Sequence, residues 1–132
     1  MNKEDLQQRT KRFALAILRL TEMLPTGRAA SVLGRQLLRA ATSVGANYRA
    51  ACRARSRADF VAKMGIVEEE ADESCYWLEL LREAQLVPAE AAERLLQEAQ
   101  ELVAIAVASI KTARQAGRLC RNPQSAIRTG ET

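Results

Sequence analysis

Residues 33–51 read LGRQLLRAATSVGANYRAA and place apolar side chains at the three- and four-residue spacing of one buried helix face. That face is formed by Leu37, Ala41, Val44 and Tyr48. The other positions are mainly arginine and small residues. Because Gly45 in a helix interior costs about 1 kcal/mol relative to alanine, we expect a neighbouring helix to approach closely at this point.

Capping and breaking residues divide the rest of the chain into further segments with the same apolar spacing. Asn2 and Ser56 are each followed three residues later by an aspartate, which is typical of a helix N-cap. Pro88 suits the first position of a helix, and Gly117 marks the end of the last pattern. The predicted helices are 3–23, 28–54, 57–86 and 88–116.

Four long helices with short connections predict an all-α fold, an antiparallel up-down-up-down four-helix bundle. The chain has 132 residues, with 48% hydrophobic and 27% charged side chains, which suits one globular domain. We assign residues 1–117 to the bundle. Residues 118–132 form a basic C-terminal tail that we expect to be flexible.

The residues that most enzymes use are scarce in this chain. It contains no histidine, and its three cysteines, Cys52, Cys75 and Cys120, are widely spaced. The acidic run 68–73 fans around its helix, so a carboxylate metal site is the least favoured reading. Glu70 is the exception, since it is expected to be partly buried and to pair with an arginine of the second helix. We expect no catalytic residues, no metal and no cofactor.

Neither a signal peptide nor a membrane span is predicted. The first residues lack the apolar core of a signal peptide, and the longest apolar run, residues 102–108, is too short to cross a bilayer. We therefore expect a cytoplasmic protein in a reducing compartment, without membrane contact.

Basic side chains are concentrated in the first half of the chain. Residues 1–55 contain eleven basic and three acidic side chains, and residues 56–132 contain nine basic and thirteen acidic ones. Five arginines of the second helix lie within about 80° of one another, opposite the apolar face. We call them the arginine stripe: Arg28, Arg35, Arg39, Arg49 and Arg53.

Guanidinium groups repeated along a helix match a phosphate backbone and bind it bidentately, so the arginine stripe predicts contact with RNA or another nucleic acid. Because no aromatic residue interrupts the stripe, any sequence preference is expected to be weak. Basic residues of the first helix, such as Arg9, Lys11 and Arg12, extend it. The alternative is a solvated face, or a partner for the acidic third helix of another subunit.

The third and fourth helices have more apolar surface than one core needs, which usually indicates an interface. We predict a homo-oligomer, and the alternative is a helix that its own neighbours bury deeply. The predicted interface residues are Ile66, Trp77, Leu80, Leu96, Val103, Val107 and Ile110.

Several segments resemble a known family of small four-helix-bundle proteins, those encoded within intervening sequences of bacterial 23S ribosomal RNA. The resemblance covers about residues 5–115, and its most specific parts are the second helix and the Tyr-Trp-Leu segment of the third. The matching segments are 36–51, Ala54-Arg55-Ser56, Asp59-Phe60, Glu70-Ala71-Asp72-Glu73-Ser74 and Tyr76-Trp77-Leu78-Glu79.

The resemblance implies a four-helix bundle that assembles into a ring-like homopentamer. It also implies kinship with accessory proteins of diversity-generating retroelements, which act beside a reverse transcriptase and bind nucleic acid through basic surfaces. Our first hypothesis is therefore a non-enzymatic protein that binds RNA or assists an RNA-dependent enzyme. The second is a protein-interaction scaffold whose arginine stripe contacts a subunit or a partner protein.

Overall fold

The computed structural model describes the backbone of residues 1–127 and the side chains of residues 1–117. Its four helices are α1 (Lys3–Glu22), α2 (Arg28–Ala51), α3 (Arg57–Glu83) and α4 (Ala89–Ile127), and residues 1–127 contain no strand. The predicted all-α class is confirmed.

Helices α1 and α3 begin at the N-caps that the sequence predicts. The Asn2 Oδ1 atom accepts a hydrogen bond from the backbone N–H of Asp5 at 2.8 Å, and the Asp5 carboxylate accepts one from the Asn2 N–H at 3.2 Å. At α3, the Ser56 hydroxyl accepts from the Asp59 N–H at 3.0 Å. These bonds satisfy amides that have no partner within the first helical turn.

Helix α3 ends in a tight reversal that precedes Pro88. Gln85 has a φ of 60°, in the left-handed region. The Leu86 N–H donates to the carbonyl of Leu81, and the Gln85 N–H donates to that of Arg82, both at 3.0 Å. This pair of bonds caps the last carbonyls of the helix and turns the chain toward α4.

Helix α4 continues to Ile127, past the predicted end at residue 116. The sequence interpretation took Gly117 as a stop, and the structure gives this glycine another role. A Cβ atom at residue 117 would lie 3.0 Å from Cδ of Arg57, so its absence makes room for that side chain. Residues 128–132 and the side chains of 118–127 lie outside the described part, and flexibility of the tail stays a prediction.

Each helix packs on its neighbours in the chain, and α1 also contacts α4, so the four helices surround one core. The α1–α4 contact is the smallest of the four. Two buried hydroxyls are satisfied within their own helices, Thr10 by the carbonyl of Gln7 at 3.0 Å and Ser74 by that of Glu70 at 2.8 Å. The largest fully buried apolar side chains are Ile17, Leu37, Met64, Leu78 and Leu81.

Gly45 lies where α1 and α2 approach each other. A Cβ atom built on it would lie 3.2 Å from the Oγ1 atom of Thr10, which is tighter than ordinary contact. The predicted close approach at this glycine is confirmed. Gly65 of α3 differs, because a Cβ atom there meets nothing within 4 Å.

We expect Gly65→Ala to raise the free energy of unfolding by about 0.5–1 kcal/mol, because alanine restricts the unfolded chain without meeting a neighbour. Gly45→Ala is expected to lack this gain, since its methyl group crowds Thr10. Urea unfolding of both variants measures the difference. An equal gain at the two positions would contradict the close contact.

Candidate nucleic-acid interface

The five arginines of the stripe are exposed on the surface of the bundle. Four of them lie on α2, whose buried face holds Leu37, Val44 and Tyr48. Arg53 lies just beyond the end of α2, in a turn where its N–H donates to the carbonyl of Ala50 at 3.0 Å. The predicted helix end at residue 54 is therefore three residues too late, yet the side chain remains exposed.

Arg39 differs from the rest of the stripe because two carboxylates of α3 neutralise its charge. Its Nη1 atom lies 3.3 Å from Oε1 of Glu70, and its Nη2 atom donates to the carboxylate of Glu73. The Glu70 side chain is only 19% exposed. The expectation that a partly buried Glu70 pairs with an arginine of the second helix is confirmed. Arg39 thus fastens α2 to α3 and is a poor candidate for a phosphate contact.

The carboxylate of Glu73 joins this ion pair to an aromatic pair that the sequence analysis did not connect with it. The Trp77 Nε1–H donates to Oε2 of Glu73 at 3.0 Å. The Tyr76 ring meets the Trp77 ring edge-on, with centroids 5.1 Å apart. The spacing of Glu73 and Trp77, four residues apart on a helix, was the available signal.

These contacts lower the pKa of Glu73. The hydrogen bond from the Trp77 indole is the largest cause, and the hydrogen bond and charge of Arg39 act in the same direction, whereas partial burial opposes them. The same contact with Glu73 raises the pKa of Arg39 above its already high ordinary value. Both groups are therefore charged at neutral pH.

The other four arginines of the stripe differ from Arg39 in their surroundings. Among the residues with described side chains, no carboxylate forms an ion pair with Arg28, Arg35, Arg49 or Arg53. Arg35 donates to the neutral hydroxyl of Ser31 at 2.9 Å. Residues 23–58 contain no aspartate or glutamate at all. Helix α2 therefore contributes only positive side-chain charge to the surface.

The basic residues of α1 that were predicted to extend the stripe fall into two groups. Arg9 binds Glu98 of α4 at 2.7 Å and Glu101 at 2.5 Å, so it closes the bundle between α1 and α4. The hydrogen bond from Arg9 to Glu98 is the main reason that its pKa is raised. Lys11 and Arg12 are exposed and form no ion pair with a described carboxylate.

The seven predicted interface residues fall into three groups. Leu96 and Ile110 are buried in the core of their own chain, at 6% and 9% exposure. Two of the α4 residues that were predicted to lie at an interface are therefore buried within their own chain. Ile66 and Val107 are exposed, at 40% and 44%. The remaining three are half-buried: Trp77, Leu80 and Val103.

Within residues 1–117, Cys75 is the buried cysteine and Cys52 is partly exposed. Burial raises the pKa of the Cys75 thiol to about 11, with Asp72 and Glu79 adding to the effect, so this cysteine is protonated at neutral pH. No three cysteine, aspartate or glutamate residues in that range lie close enough to hold a metal ion. None of the described helices is apolar over a length that would cross a membrane.

A small antiparallel helical bundle with one acid-free, arginine-bearing helix is the class of protein that the fold and this surface define. The chain belongs to the 23S rRNA-intervening sequence protein family, whose model matches residues 2–108. A crystal structure similar to it is that of a protein of unknown function from the S23 ribosomal protein family of Bacteroides thetaiotaomicron. The two chains are 36% identical, with a TM-score of 0.75, over 80% of this chain and 97% of the other. No curated protein matches the chain.

The single tryptophan, Trp77, gives a direct test of the Glu73 contacts. Because the folded-state pKa of Glu73 is lowered, its ionised form stabilises the fold above the ordinary glutamate pKa of about 4.3, and that contribution disappears as pH falls through the lowered value. We expect tryptophan emission to change with a midpoint below about 4.3. Glu73→Gln should abolish this step and Glu69→Gln should preserve it. A midpoint at or above the ordinary value would contradict the contacts.

Proposed function

We propose that this protein is a non-enzymatic, homo-oligomeric bundle that binds RNA through the α2 surface or assists an RNA-dependent enzyme there. One observation carries the proposal: Arg28, Arg35, Arg49 and Arg53 are exposed on an acid-free segment and pair with no described carboxylate. Such a surface favours a polyanion, because each neutralised phosphate releases condensed counterions.

RNA is the polyanion that the sequence resemblance implies, through kinship with accessory proteins that bind nucleic acid beside a reverse transcriptase. The family name itself says where the proteins are encoded, and the relative with a crystal structure is a protein of unknown function from a ribosomal protein family. The proposal that the protein has no catalytic activity rests on its lack of histidine and on the raised pKa of Cys75. The stripe offers contacts to phosphate and has no aromatic side chain on which a base could stack. Binding is therefore expected to show little sequence preference.

Replacing two free arginines tests the RNA contact. We expect the double variant Arg35→Glu, Arg53→Glu to bind a short labelled RNA at least about tenfold more weakly, with a salt slope reduced by about 0.7 for each lost phosphate contact. Fluorescence anisotropy at several salt concentrations measures both quantities.

The matched control is Arg94→Glu, Lys111→Glu, which makes the same change in charge at exposed positions of α4. It should retain most of the affinity. Equal losses in the two double variants would mean that only net charge matters. Binding by the wild type that does not respond to salt would contradict the phosphate contacts.

The oligomer has a separate test, since its proposed contacts are apolar. Ile66 and Val107 are large exposed hydrophobic residues, and such residues favour burial between subunits. Light scattering should give the mass of two or more chains, each of 14.6 kDa. We expect Ile66→Glu, Val107→Glu to lower that mass, and Val32→Glu, at a similarly exposed position of α2, to leave it unchanged.

The scaffold alternative gives different results in the same measurements. If the stripe contacts acidic side chains of another subunit, Arg35→Glu, Arg53→Glu should dissociate the oligomer, because like charges then meet across the contact. The pairing of Arg39 with Glu70 and Glu73 of its own chain favours RNA over this alternative, since it occupies two α3 carboxylates within the subunit. A monomeric wild type would contradict the oligomer.

A further inference from the structure

A groove of about 350 Å³ lies on the surface between α1 and α2, beside the close contact of Gly45 with Thr10. Three of its lining residues, Ala14, Gly45 and Ala46, have little or no side chain. These three positions therefore leave space between the longer side chains that border the groove. Its size is at the small end of the range for ligand sites.

The groove carries positive charge from both helices. Lys11 of α1 and Arg49 of α2 line it, together with the neutral polar side chains of Gln7, Gln8 and Thr42, and no carboxylate of residues 1–117 is part of its lining. Neither cation forms an ion pair with a described carboxylate. An ammonium group and a guanidinium group on facing helices form an arrangement suited to one phosphate.

The edge of the arginine stripe that faces α3 is less suitable for an anion. There Arg39 is held by Glu70 and Glu73 of α3, so the positive charge is compensated. A second groove, between α3 and α4, is lined by Glu68 and Glu69 as well as by two basic residues. The positive charge of α2 that no described carboxylate pairs with therefore lies nearer to α1, where the groove is.

We propose that the α1–α2 groove holds one backbone phosphate of a bound RNA strand, between Lys11 and Arg49. This inference rests on the proposed function and gives it a location. The sugar lies against Ala14 and Ala46, whose methyl groups leave room for it. Because the groove has no aromatic side chain, the base points away and is not read, so the site contributes affinity without sequence preference.

The groove also gives a physical reason for the small residues of α2. Gly45 allows α1 to approach, and Ala46 keeps the adjacent surface open. Charge alone does not require either residue. The shape of the groove is therefore a separate contribution to binding, and a substitution that fills it without altering charge tests that contribution.

Ala46→Leu is the decisive variant. Residue 46 is exposed on α2, so leucine fills the groove without entering the core. We expect this variant to bind a short labelled RNA about tenfold more weakly, with a salt slope reduced by about 0.7, the value for one single-strand phosphate. The matched control is Ala29→Leu, at an exposed position of the same helix outside the groove. It should bind as the wild type does.

A second variant, Lys11→Ala, Arg49→Ala, tests the same site through its charge and is expected to lose at least as much affinity. Helical circular dichroism and thermal unfolding confirm that each variant is folded. If both variants bind like the wild type while Arg35→Glu, Arg53→Glu fails to bind, the groove assignment is wrong and the proposed function stands. If the wild type itself does not bind RNA, both fail.

The source of the phosphate is tested with inorganic phosphate. Amide resonances of Thr42 and Ala46 should shift when RNA is added to the wild type, and should shift much less with inorganic phosphate at the same concentration of phosphate groups. Equal shifts would show that the groove takes a free anion, and would overturn its assignment to a strand.

Discussion

The close contact between α1 and α2 is the constraint on which the surface of this protein depends. Glycine at position 45 permits it, since the Cβ atom of an alanine there would lie 3.2 Å from Oγ1 of Thr10, tighter than ordinary contact. Once the helices are this close, the next outward position, Ala46, borders an open groove, and Lys11 and Arg49 face the same space. The packing of α2 against α1 thus determines which part of the surface receives the charges of Lys11 and Arg49. A bulkier residue at position 45 would separate the helices and disperse that charge.

The arginines of α2 and its following turn have two roles that their sequence spacing does not distinguish. Arg39 is held by two carboxylates of α3 and connects helices, whereas Arg35 and Arg49 form no ion pair with a carboxylate of residues 1–117. The carboxylate that makes the difference, Glu73, is itself positioned by the Trp77 indole. Neutralisation on the α3 side leaves the α1 side of α2 as the more positive one. This asymmetry would direct a polyanion along the α1–α2 boundary and away from the acidic outer surface of α3.

Periodicity and capping chemistry predicted most of the fold, because both act within a few residues of each other. Asn2 and Ser56 begin their helices as predicted, and Leu37, Ala41 and Val44 are buried as predicted. The errors arose where a residue's role depends on a distant partner. Gly117 accommodates Arg57 from another helix. Leu96 and Ile110 appeared to be surplus surface from their angles on α4, yet they are buried within the chain. Which arginines are neutralised likewise depends on contacts between helices.

The small α1–α4 contact has a consequence for the order in which the bundle forms. Helices α2, α3 and α4 follow one another with short connections and pack on their neighbours in the chain. Forming these local contacts costs little loop-closure entropy. Closing α1 against α4 joins Arg9 to Glu98, which are 89 residues apart in the sequence. We expect this closure to come late, after the other three helices have docked. Disrupting Arg9 should then accelerate unfolding while leaving the refolding rate nearly unchanged.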